Sequence, residues 1–288
     1  MSDIRKLTSE EFPSELLEIP QPPKELYIRG TMPDESFIRL AVVGSRKHTT
    51  YGKEACQKLI AGLKGYPICI VSGLALGIDS IAHKAALDAG LPTIAIPGSG
   101  LDDKVLYPAS NQGLARTILN SDGCLLSEFK PEFRATVWTF PQRNRVVAGI
   151  SKAVLIIEAP EKSGALITSR MATDYNRDVF VVPGSIFSDA SKGTNMLLRL
   201  GATPIRSSED ILEALGFSPK EKDVNEAEQS LRNCSADELA ILSLLSEPIP
   251  RDNLIRKSGM PITQLSALLS VMEIKGLIRE FMGEIHKN

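Results

Sequence analysis

The stretch Leu40-Ala41-Val42-Val43-Gly44-Ser45-Arg46 decides the fold of this chain. Its first four residues are apolar, as in a strand buried on both faces of a parallel sheet. Gly44 lets the backbone turn sharply, and a helix-like sequence follows from about Thr49 to Lys64. The N–H groups at a helix start favour an anion, and the Arg46 guanidinium suits phosphate. The segment therefore predicts a phosphate seat; the alternative is a plain strand–turn–helix in which Arg46 only caps a neighbouring group.

Composition limits the class of protein. The chain has 288 residues, 43% hydrophobic and 24% charged, which predicts an ordinary globular protein with one large and one small domain. No apolar run approaches the roughly 20 residues that cross a bilayer, and residues 1–13 are unlike a signal peptide, so a cytoplasmic location without membrane partners is expected. The net charge of −2 excludes a globally basic nucleic-acid-binding protein but permits a local basic groove.

The cysteines and histidines are scattered without a metal-binding spacing. Cys69 and Cys124 lie in apolar, strand-like runs, so free buried thiols are predicted instead of disulfides. No metal and no cofactor are expected.

Apolar strands and helices alternate from Leu40 onward. Strands are predicted at Ala41–Val43, Ile68–Val71, Thr93–Ile96, Cys124–Leu126, Val154–Ile157 and Val179–Val182. Helices are predicted at about 49–64, 78–89, 109–120, 143–150, 164–176, 192–200 and 209–216. This alternation predicts an α/β fold, a mostly parallel sheet whose ligand lies outside the carboxyl ends of its strands. Residues 1–35 are predicted as an irregular lead-in with a short edge strand at 26–28.

Nearly every predicted strand ends in glycine and serine. Their backbone N–H groups and hydroxyls would form a concave floor for a phosphate-bearing ligand. A single such loop is weak evidence, because α/β loops are often glycine-rich merely to turn, but five on one rim favour an anionic ligand. The candidate phosphate-binding residues along this rim are Gly44, Ser45, Arg46, Ser72, Gly73, Gly98, Ser99, Gly100, Lys162, Ser163 and Gly164.

The run Arg143-Asn144-Arg145, which follows Phe140-Pro141, adds three more candidate DNA-binding residues. Upstream, basic residues are interleaved with aromatic ones, a pattern that suits single-stranded nucleic acid because bases stack while phosphates pair. These upstream residues are Phe129, Lys130, Phe133, Arg134 and Trp138. The alternative is that Arg143 or Arg145 forms an ion pair inside the fold, with Glu128 or Glu158.

Asp79 and His83 lie four residues apart on a predicted helix. The pair could be catalytic, but we favour a carboxylate that bonds its own histidine or the neighbouring loop, because no nucleophile or metal ligand accompanies it. The chain has neither a Walker A lysine motif nor a GxGxxG sequence. A binding protein is therefore predicted instead of an enzyme.

A linker is predicted at 218–234 and a winged-helix domain at 235–288. Its helices are expected at about 236–246, 251–258 and 262–275, followed by a hairpin of 277–282 and 284–286 that turns at Gly283. Residues 231–288 contain seven Lys+Arg and seven Asp+Glu. Because groove binding needs several basic contacts, we expect this domain to bind a partner or to self-associate instead of reading DNA.

Together these residues resemble the DNA-processing protein A (DprA/Smf) family. The resemblance covers roughly residues 12–216. The matching stretches are Val43–Arg46 with Tyr51-Gly52, Val71–Ala75 with Gly77–Asp79 and Ala82-His83, Phe140–Arg145, Val154–Ala159 with Ser163–Ala165, and Val182–Gly184 with Gly193–Asn195.

The resemblance implies an extended Rossmann-like core, here 36–217, that binds single-stranded DNA and loads the RecA recombinase in natural transformation. It also implies a homodimer, with single-stranded-DNA-binding protein as a further partner. The dimer edge is predicted at Ile211, Leu212 and Leu215, beside the apolar residues of 197–200, unless both helices simply cover the sheet. The alternatives are a hydrolase of the lysine-decarboxylase-like phosphoribohydrolase type, whose Pro-Gly-Gly-x-Gly-Thr-x-x-Glu signature is missing, and a pure interaction scaffold.

Overall fold

Nine strands of the larger part of the chain form one sheet in the computed structural model, which describes residues 3–217, 234–245, 247–281 and 283–287. The strands are β1 (Arg5–Lys6), β2 (Tyr27–Gly30), β3 (Ile38–Val43), β4 (Ile68–Ser72), β5 (Thr93–Ala95), β6 (Cys124–Ser127), β7 (Ala153–Ile156), β8 (Asp178–Val181) and β9 (Thr203–Pro204). Their spatial order is β1-β2-β6-β5-β4-β3-β7-β8-β9. From β6 to β9 all neighbours are parallel, whereas β2 and β1 add an antiparallel edge. The predicted α/β, Rossmann-like fold is confirmed.

Eight helices of this unit cover both faces of the sheet within the described residues. They are α1 (Ser14–Leu17), α2 (Thr50–Ala61), α3 (Ile78–Asp88), α4 (Gln112–Asn120), α5 (Thr139–Gly149), α6 (Gly164–Asp174), α7 (Lys192–Arg199) and α8 (Ser208–Ala214). Alternation along β3 explains the two layers, because Ala41 and Val43 face one core and Leu40 and Val42 face the other. Helices α1, α5, α6 and α7 pack on the first face, and α2, α3 and α8 on the second.

The direction of chain winding reverses next to β3. From β3 the chain moves through β4 and β5 to β6, and then returns to place β7 on the other side of β3. In open parallel sheets a crevice forms at such a reversal, outside the carboxyl ends of the two strands. The loop after β3, which begins at Gly44, and the loop after β7, which begins at Ile157, therefore face each other.

The first 35 residues were predicted as an irregular lead-in with a short edge strand at 26–28; the strand is observed as β2, although β1 and not β2 lies at the edge of the sheet. The segment also contains β1, α1 and a short 3₁₀ turn at Ser9–Glu11. Apolar side chains of this segment, Leu7, Leu16, Ile19 and Leu26, are buried in the same core as the sheet. The prolines that suggested irregular structure lie between these short elements, where the chain turns.

The structure does not support a dimer edge at Ile211 and Leu212, because both side chains are buried inside the larger unit. Ile211 and Leu212 of α8 are buried on one face of the sheet, whereas Leu197 and Leu198 of α7 pack on the opposite face. Helices α7 and α8 therefore lie on opposite faces of the sheet and do not form one continuous surface. The edge strand β9 connects them in the chain. Leu215 is partly buried against the α8 core, as the alternative interpretation expected.

A second unit, Pro219–Asn288, follows Met1–Ser218. It contains α9 (Ala236–Leu244), α10 (Arg251–Ser258), α11 (Ile262–Ile274) and a three-stranded sheet of β10 (Ile249–Pro250), β11 (Ile278–Phe281) and β12 (Glu284–Lys287). The predicted three helices and hairpin are confirmed, and β10, which was not predicted, pairs with β12. Leu265, Leu269 and Met272 of α11 are buried in the core of this unit, and Leu268 packs partly buried against it. The predicted linker lies almost wholly outside the described residues.

Among the helices of the described residues, none is both long and apolar enough to cross a membrane.

Candidate nucleic-acid interface

A groove of 460 Å³ opens at the carboxyl ends of β3 and β7. Residues 44–47 line one wall, and residues 160–168 contribute the opposite wall. Helix α5 supplies a third side through Phe140, Pro141, Arg143 and Asn144. The groove therefore lies at the point of winding reversal, where the topology favours a ligand site.

Arg46 projects into this groove from the loop after β3. The loop is held because Ser45 Oγ donates to the Lys47 carbonyl at 2.8 Å and the Ile78 N–H donates to the Ser45 carbonyl at 3.1 Å. A Cβ at Gly77, whose φ is +80°, would lie only 2.3 Å from that carbonyl, so only glycine permits this close approach. The Arg46 side chain is exposed, and its Cζ lies 5.1 Å from the centre of the Phe140 ring. This cation–π contact holds the guanidinium beside an aromatic face.

The start of α6 forms the opposite wall. Ser163 is the N-cap, and its Oγ accepts a hydrogen bond from the Ala165 N–H at 3.2 Å. Lys162, which precedes it, is exposed. The Asn144 side-chain amide donates to the Gly164 carbonyl at 3.5 Å and joins α5 to this wall. The structure thus brings together eight of the predicted site residues, namely Gly44, Ser45, Arg46, Arg143, Asn144, Lys162, Ser163 and Gly164.

The N-terminus of α2, where the sequence predicted the phosphate seat, is already occupied. Glu158, at the end of β7 and only 1% exposed, accepts from the Thr49 N–H at 2.9 Å and from the Thr49 hydroxyl. A Cβ at Gly52 would lie 2.2 Å from the Glu158 carboxylate, so the carboxylate packs against the first turn of α2. The helix start does bind an anion, as its dipole favours, but the anion is a side chain of the protein.

The serines of the other strand ends do not form the predicted open floor. Ser72 Oγ donates to the Val42 carbonyl at 2.6 Å, and Ser99 Oγ donates to the Gly100 carbonyl at 3.0 Å. Both serines are fully buried, and their hydroxyls bond backbone groups inside the protein: Ser72 links β4 to β3, and Ser99 Oγ also accepts from the Tyr107 N–H at 3.1 Å. Such hydroxyls satisfy buried backbone carbonyls, which a sequence pattern alone does not distinguish from ligand binding.

The glycines of these strand ends are also covered. A Cβ at Gly98 would meet the Phe140 ring at 2.6 Å, and one at Gly100 would meet the Lys130 carbonyl at 2.2 Å. Gly73 and Gly98 line a small adjoining cavity of 30 Å³ that shares Arg46, Phe140 and Arg143 with the groove. The glycines after β4 and β5 therefore lie behind the groove, whereas Ala75 of the loop after β4 lines it.

Arg143, predicted to hold phosphate, is 5% exposed. Its Nη1 donates to the carbonyls of Gly73 and Ile96, at the ends of β4 and β5, and its Nε donates to Asn144 Oδ1 at 3.1 Å. Burial lowers the pKa of the Arg143 guanidinium to about 10, opposed by the charge of Asp79. Arg143 therefore lies beneath the groove and holds two strand ends against α5.

Arg145, the other predicted DNA contact of this helix, forms an ion pair with Glu128 and donates to the Gln21 carbonyl. Both groups of the pair are largely buried, at 13% and 6% side-chain exposure. Burial raises the pKa of the Glu128 carboxyl, opposed by hydrogen bonds from Gln142 and by the charge of Arg145. The alternative of an internal ion pair is thus correct for Arg145.

The aromatic residues separate into two groups. Phe129, Phe133 and Trp138 contact one another, with ring centres 5.3–5.8 Å apart. Phe140 instead contacts Tyr107, with ring centres 5.5 Å apart, and lines the groove. Sequence reasoning missed Tyr107, which lies far from α5 in the chain, and Lys47, which was adjacent to the quoted motif.

Asp79 and His83 do not form a catalytic pair. The Asp79 carboxylate accepts from the Gly73 N–H at 3.1 Å, whereas His83 Nδ1 bonds the Thr93 hydroxyl at 2.7 Å. Burial raises the pKa of Asp79 and lowers that of His83 to about 3. The imidazole is therefore neutral at physiological pH and is bonded inside the core, and the loop interpretation of Asp79 is confirmed.

Comparison with known proteins identifies the family. A family model described as DNA recombination-mediator protein A matches residues 3–216, and a model of the DprA winged helix domain matches residues 225–283. The chain belongs to the DNA recombination-mediator protein A family. It is 34% identical to Protein Smf of Escherichia coli K12 over 282 residues, which cover 96% of this chain and 74% of that protein. It is 41% identical to DprA of Streptococcus pneumoniae over 206 residues, 72% of each chain.

Two solved structures of the family are similar to this chain. DprA of Streptococcus pneumoniae matches with a TM-score of 0.69 at 38% identity, over 75% of each chain. DprA of Helicobacter pylori matches with a TM-score of 0.65 at 31% identity, over 75% of this chain and 98% of that one. The latter structure is described as giving insight into the single-stranded DNA binding mode of that protein. The predicted family is confirmed.

Proposed function

We propose that this chain binds single-stranded DNA in the groove between β3 and β7 and loads the RecA recombinase onto it, as in natural transformation. The observation that carries the proposal is a set of exposed cations, Arg46, Lys47 and Lys162, on two walls of one groove beside the Phe140 ring. Cations along a groove neutralise phosphates, and a ring within it provides a face for a base. The single-stranded DNA binding described for the Helicobacter pylori relative supports the same ligand.

The geometry supports binding without base-specific readout. Arg46 and the N-terminus of α6 lie on opposite walls, where each favours a phosphate oxygen. Phe140, with Tyr107 against it, offers a stacking surface that accepts any base. Phosphate and stacking contacts carry little sequence information, so the groove suits a protein that coats DNA of any sequence.

Binding instead of catalysis is the activity we propose. Turnover of a phosphate ester needs a positioned general base, a nucleophile or a metal ion. Asp79 and His83, the acid–base candidates of the sequence, are both buried; Asp79 borders the groove but accepts from the Gly73 N–H, and His83 bonds Thr93 inside the core. Within the described residues no cluster of three His, Cys, Asp or Glu side chains could hold a metal ion.

We further propose a cytoplasmic homodimer that engages RecA and single-stranded-DNA-binding protein. A second groove, of 860 Å³, lies between α6 and α7. It exposes three large apolar side chains, Ile167, Met196 and Leu200, the last of which is 74% exposed. Contiguous exposed apolar surface of this kind is typical of a protein–protein contact, and light scattering of the purified chain measures whether it is dimeric.

The experiment that tests the proposed function pairs two assays on one preparation. Anisotropy of labelled oligo-dT measures binding, and phosphate release from nucleoside monophosphates measures hydrolysis. We expect saturable binding and no phosphate release. Lys162→Glu is expected to weaken binding about tenfold or more, because it reverses a charge in the groove.

The matched control is Lys152→Glu, an exposed lysine at the opposite end of β7 that does not line the groove. Equal losses for the two variants would indicate a general charge effect and contradict the proposed site. Phosphate release without oligo-dT binding would favour the hydrolase alternative.

A further inference from the structure

The N-terminus of α2 is the place where a fold of this kind ordinarily binds phosphate. It follows β3, the strand at which the winding reverses, and the first turn after such a strand provides N–H groups and the positive end of a dipole. In this chain Glu158 occupies that position, through its bonds from the Thr49 N–H and hydroxyl. A free phosphate placed there would have to displace a buried carboxylate or lie against it.

Residues at the start of α2 hold the Glu158 carboxylate there. Glu158 comes from β7, the strand beside β3, and its side chain reaches across to α2. Gly52 is required beneath it, because a Cβ there would come within 2.2 Å of Glu158 Oε2. The Thr49 hydroxyl donates to Glu158, and its oxygen accepts from the Gly52 N–H at 3.1 Å. Thr49 therefore both caps α2 and binds the Glu158 carboxylate.

The helices around the groove differ in this respect. Helix α3 carries Asp79 in its first turn, and that carboxylate is also buried. Helix α6 begins at the neutral Ser163 and has no acidic residue in its first turn. The starts of α2 and α3 therefore each have a carboxylate of the protein, whereas the start of α6 offers an uncompensated positive end to a ligand.

We propose that Glu158 is a specificity-determining residue that closes the phosphate seat of α2 to free nucleotides. A terminal phosphate carries up to two negative charges, so its tight binding needs several positive groups at one place. A DNA strand carries one charge per internal phosphate, so its affinity comes from several weaker contacts along its length. With the α2 seat filled, the groove retains Arg46 and α6, which suit a strand. This inference rests on the proposed function for the identity of the strand, but the exclusion of free phosphate is testable alone.

The test measures inorganic phosphate binding by calorimetry and by the rise of the melting temperature with phosphate, at constant ionic strength. Glu158→Gln keeps the size of the side chain and removes its charge. We expect it to bind phosphate at least about tenfold more tightly than the wild-type chain, the order of effect of one charge at a partly buried helix end. Glu161→Gln, the same change at an exposed position in the same loop, is the matched control and should behave as wild type.

Equal phosphate binding by Glu158→Gln and Glu161→Gln, both folded by circular dichroism, would overturn the inference. If Glu158→Gln unfolds in plain buffer, phosphate is expected to restore its spectrum where chloride of equal ionic strength does not; failure of that rescue also overturns it. Oligo-dT anisotropy on the same preparations separates the two proposals. Loss of oligo-dT binding by the wild-type chain contradicts the proposed function, whereas the gain of phosphate binding by Glu158→Gln supports the role of Glu158 in either case.

Discussion

Three arginines near the groove differ in burial and therefore have different contacts. Arg46 is exposed and lies over Phe140, Arg145 forms an ion pair with Glu128, and Arg143 is bonded to two backbone carbonyls. The sequence showed the charge of each residue but did not show which carbonyls and carboxylates the fold would bring beside it. Only Arg46 keeps its guanidinium free for a ligand among these three.

Arg143→Ala is expected to destabilise the larger unit instead of weakening one phosphate contact. The change leaves two strand-end carbonyls without a donor and Asp79 without its neighbouring positive charge, and breaking a buried charge pair costs about 3–5 kcal/mol. Urea unfolding measures the loss. Arg116→Ala, at an exposed arginine of α4, is the control. Unchanged stability combined with weakened DNA binding would instead place Arg143 in direct contact with DNA.

At the scale of elements, the pattern of apolar runs was sufficient to locate the six central strands of the sheet, and each observed strand overlaps its predicted range. It did not reveal the two-residue strands β1, β9 and β10, because so short a segment has no period. It also started α5 too late. The helix begins at Thr139 and contains Pro141 in its first turn, where proline is tolerated because the N–H groups there lack helical partners.

The candidate site was predictable to a similar extent. The loops after β3 and β7 could be identified because parallel topology brings their residues to one edge. The occupation of α2 by Glu158 could not, because it depends on a contact between residues 109 positions apart in the chain. For the same reason, the sequence could not predict that the hydroxyls of Ser72 and Ser99 point into the protein.

The first turn of α9 gives an element-scale prediction about pH. Ser235 and Glu238 form a capping box, and Glu238 also accepts from Lys275 Nζ at 2.7 Å. The Lys275 hydrogen bond, followed by the Ser235 N–H, lowers the pKa of Glu238 from 4.5. A carboxyl whose pKa is lower in the folded state stabilises that state above its unfolded pKa, and this contribution is lost as the pH falls through the folded value.

Glu238→Gln is therefore expected to speed hydrogen exchange of the α9 amides at neutral pH, with a difference from wild type that shrinks as the pH falls below about 4.5. Glu247→Gln, at an exposed position after α9, is the control. A difference that is the same at every pH would show that the charge of Glu238 is not the stabilising feature.

For the whole molecule, we expect the two units to have different roles, because their surface charges differ. The larger unit carries the cationic groove, whereas α11, which occupies the position of a recognition helix, has Glu273 as its single charged residue and exposes Ile262, Val271 and Ile274. Such a surface suits a protein partner better than a phosphate backbone.

Removal of residues 220–288 is accordingly expected to leave the affinity for single-stranded DNA within several-fold of that of the full chain. Anisotropy with labelled oligo-dT on both proteins measures the change. A loss of more than about a hundredfold, or ~2.7 kcal/mol, would show that the second unit is part of the DNA-binding surface.

The central claim, that Arg46 holds a backbone phosphate in the groove, is tested most directly by the salt dependence of oligo-dT binding by Arg46→Ala, with unfolding measured on the same preparation. We expect affinity to fall about ten- to a hundredfold, because a hydrogen bond to a charged group contributes about 1.5–3 kcal/mol. The plot of log affinity against log salt should become shallower by about 0.7, the value for one single-strand phosphate contact, with the melting temperature unchanged. An unaltered salt slope together with a lower melting temperature would contradict the claim. That result would show that Arg46 stabilises the fold and does not contact DNA phosphate.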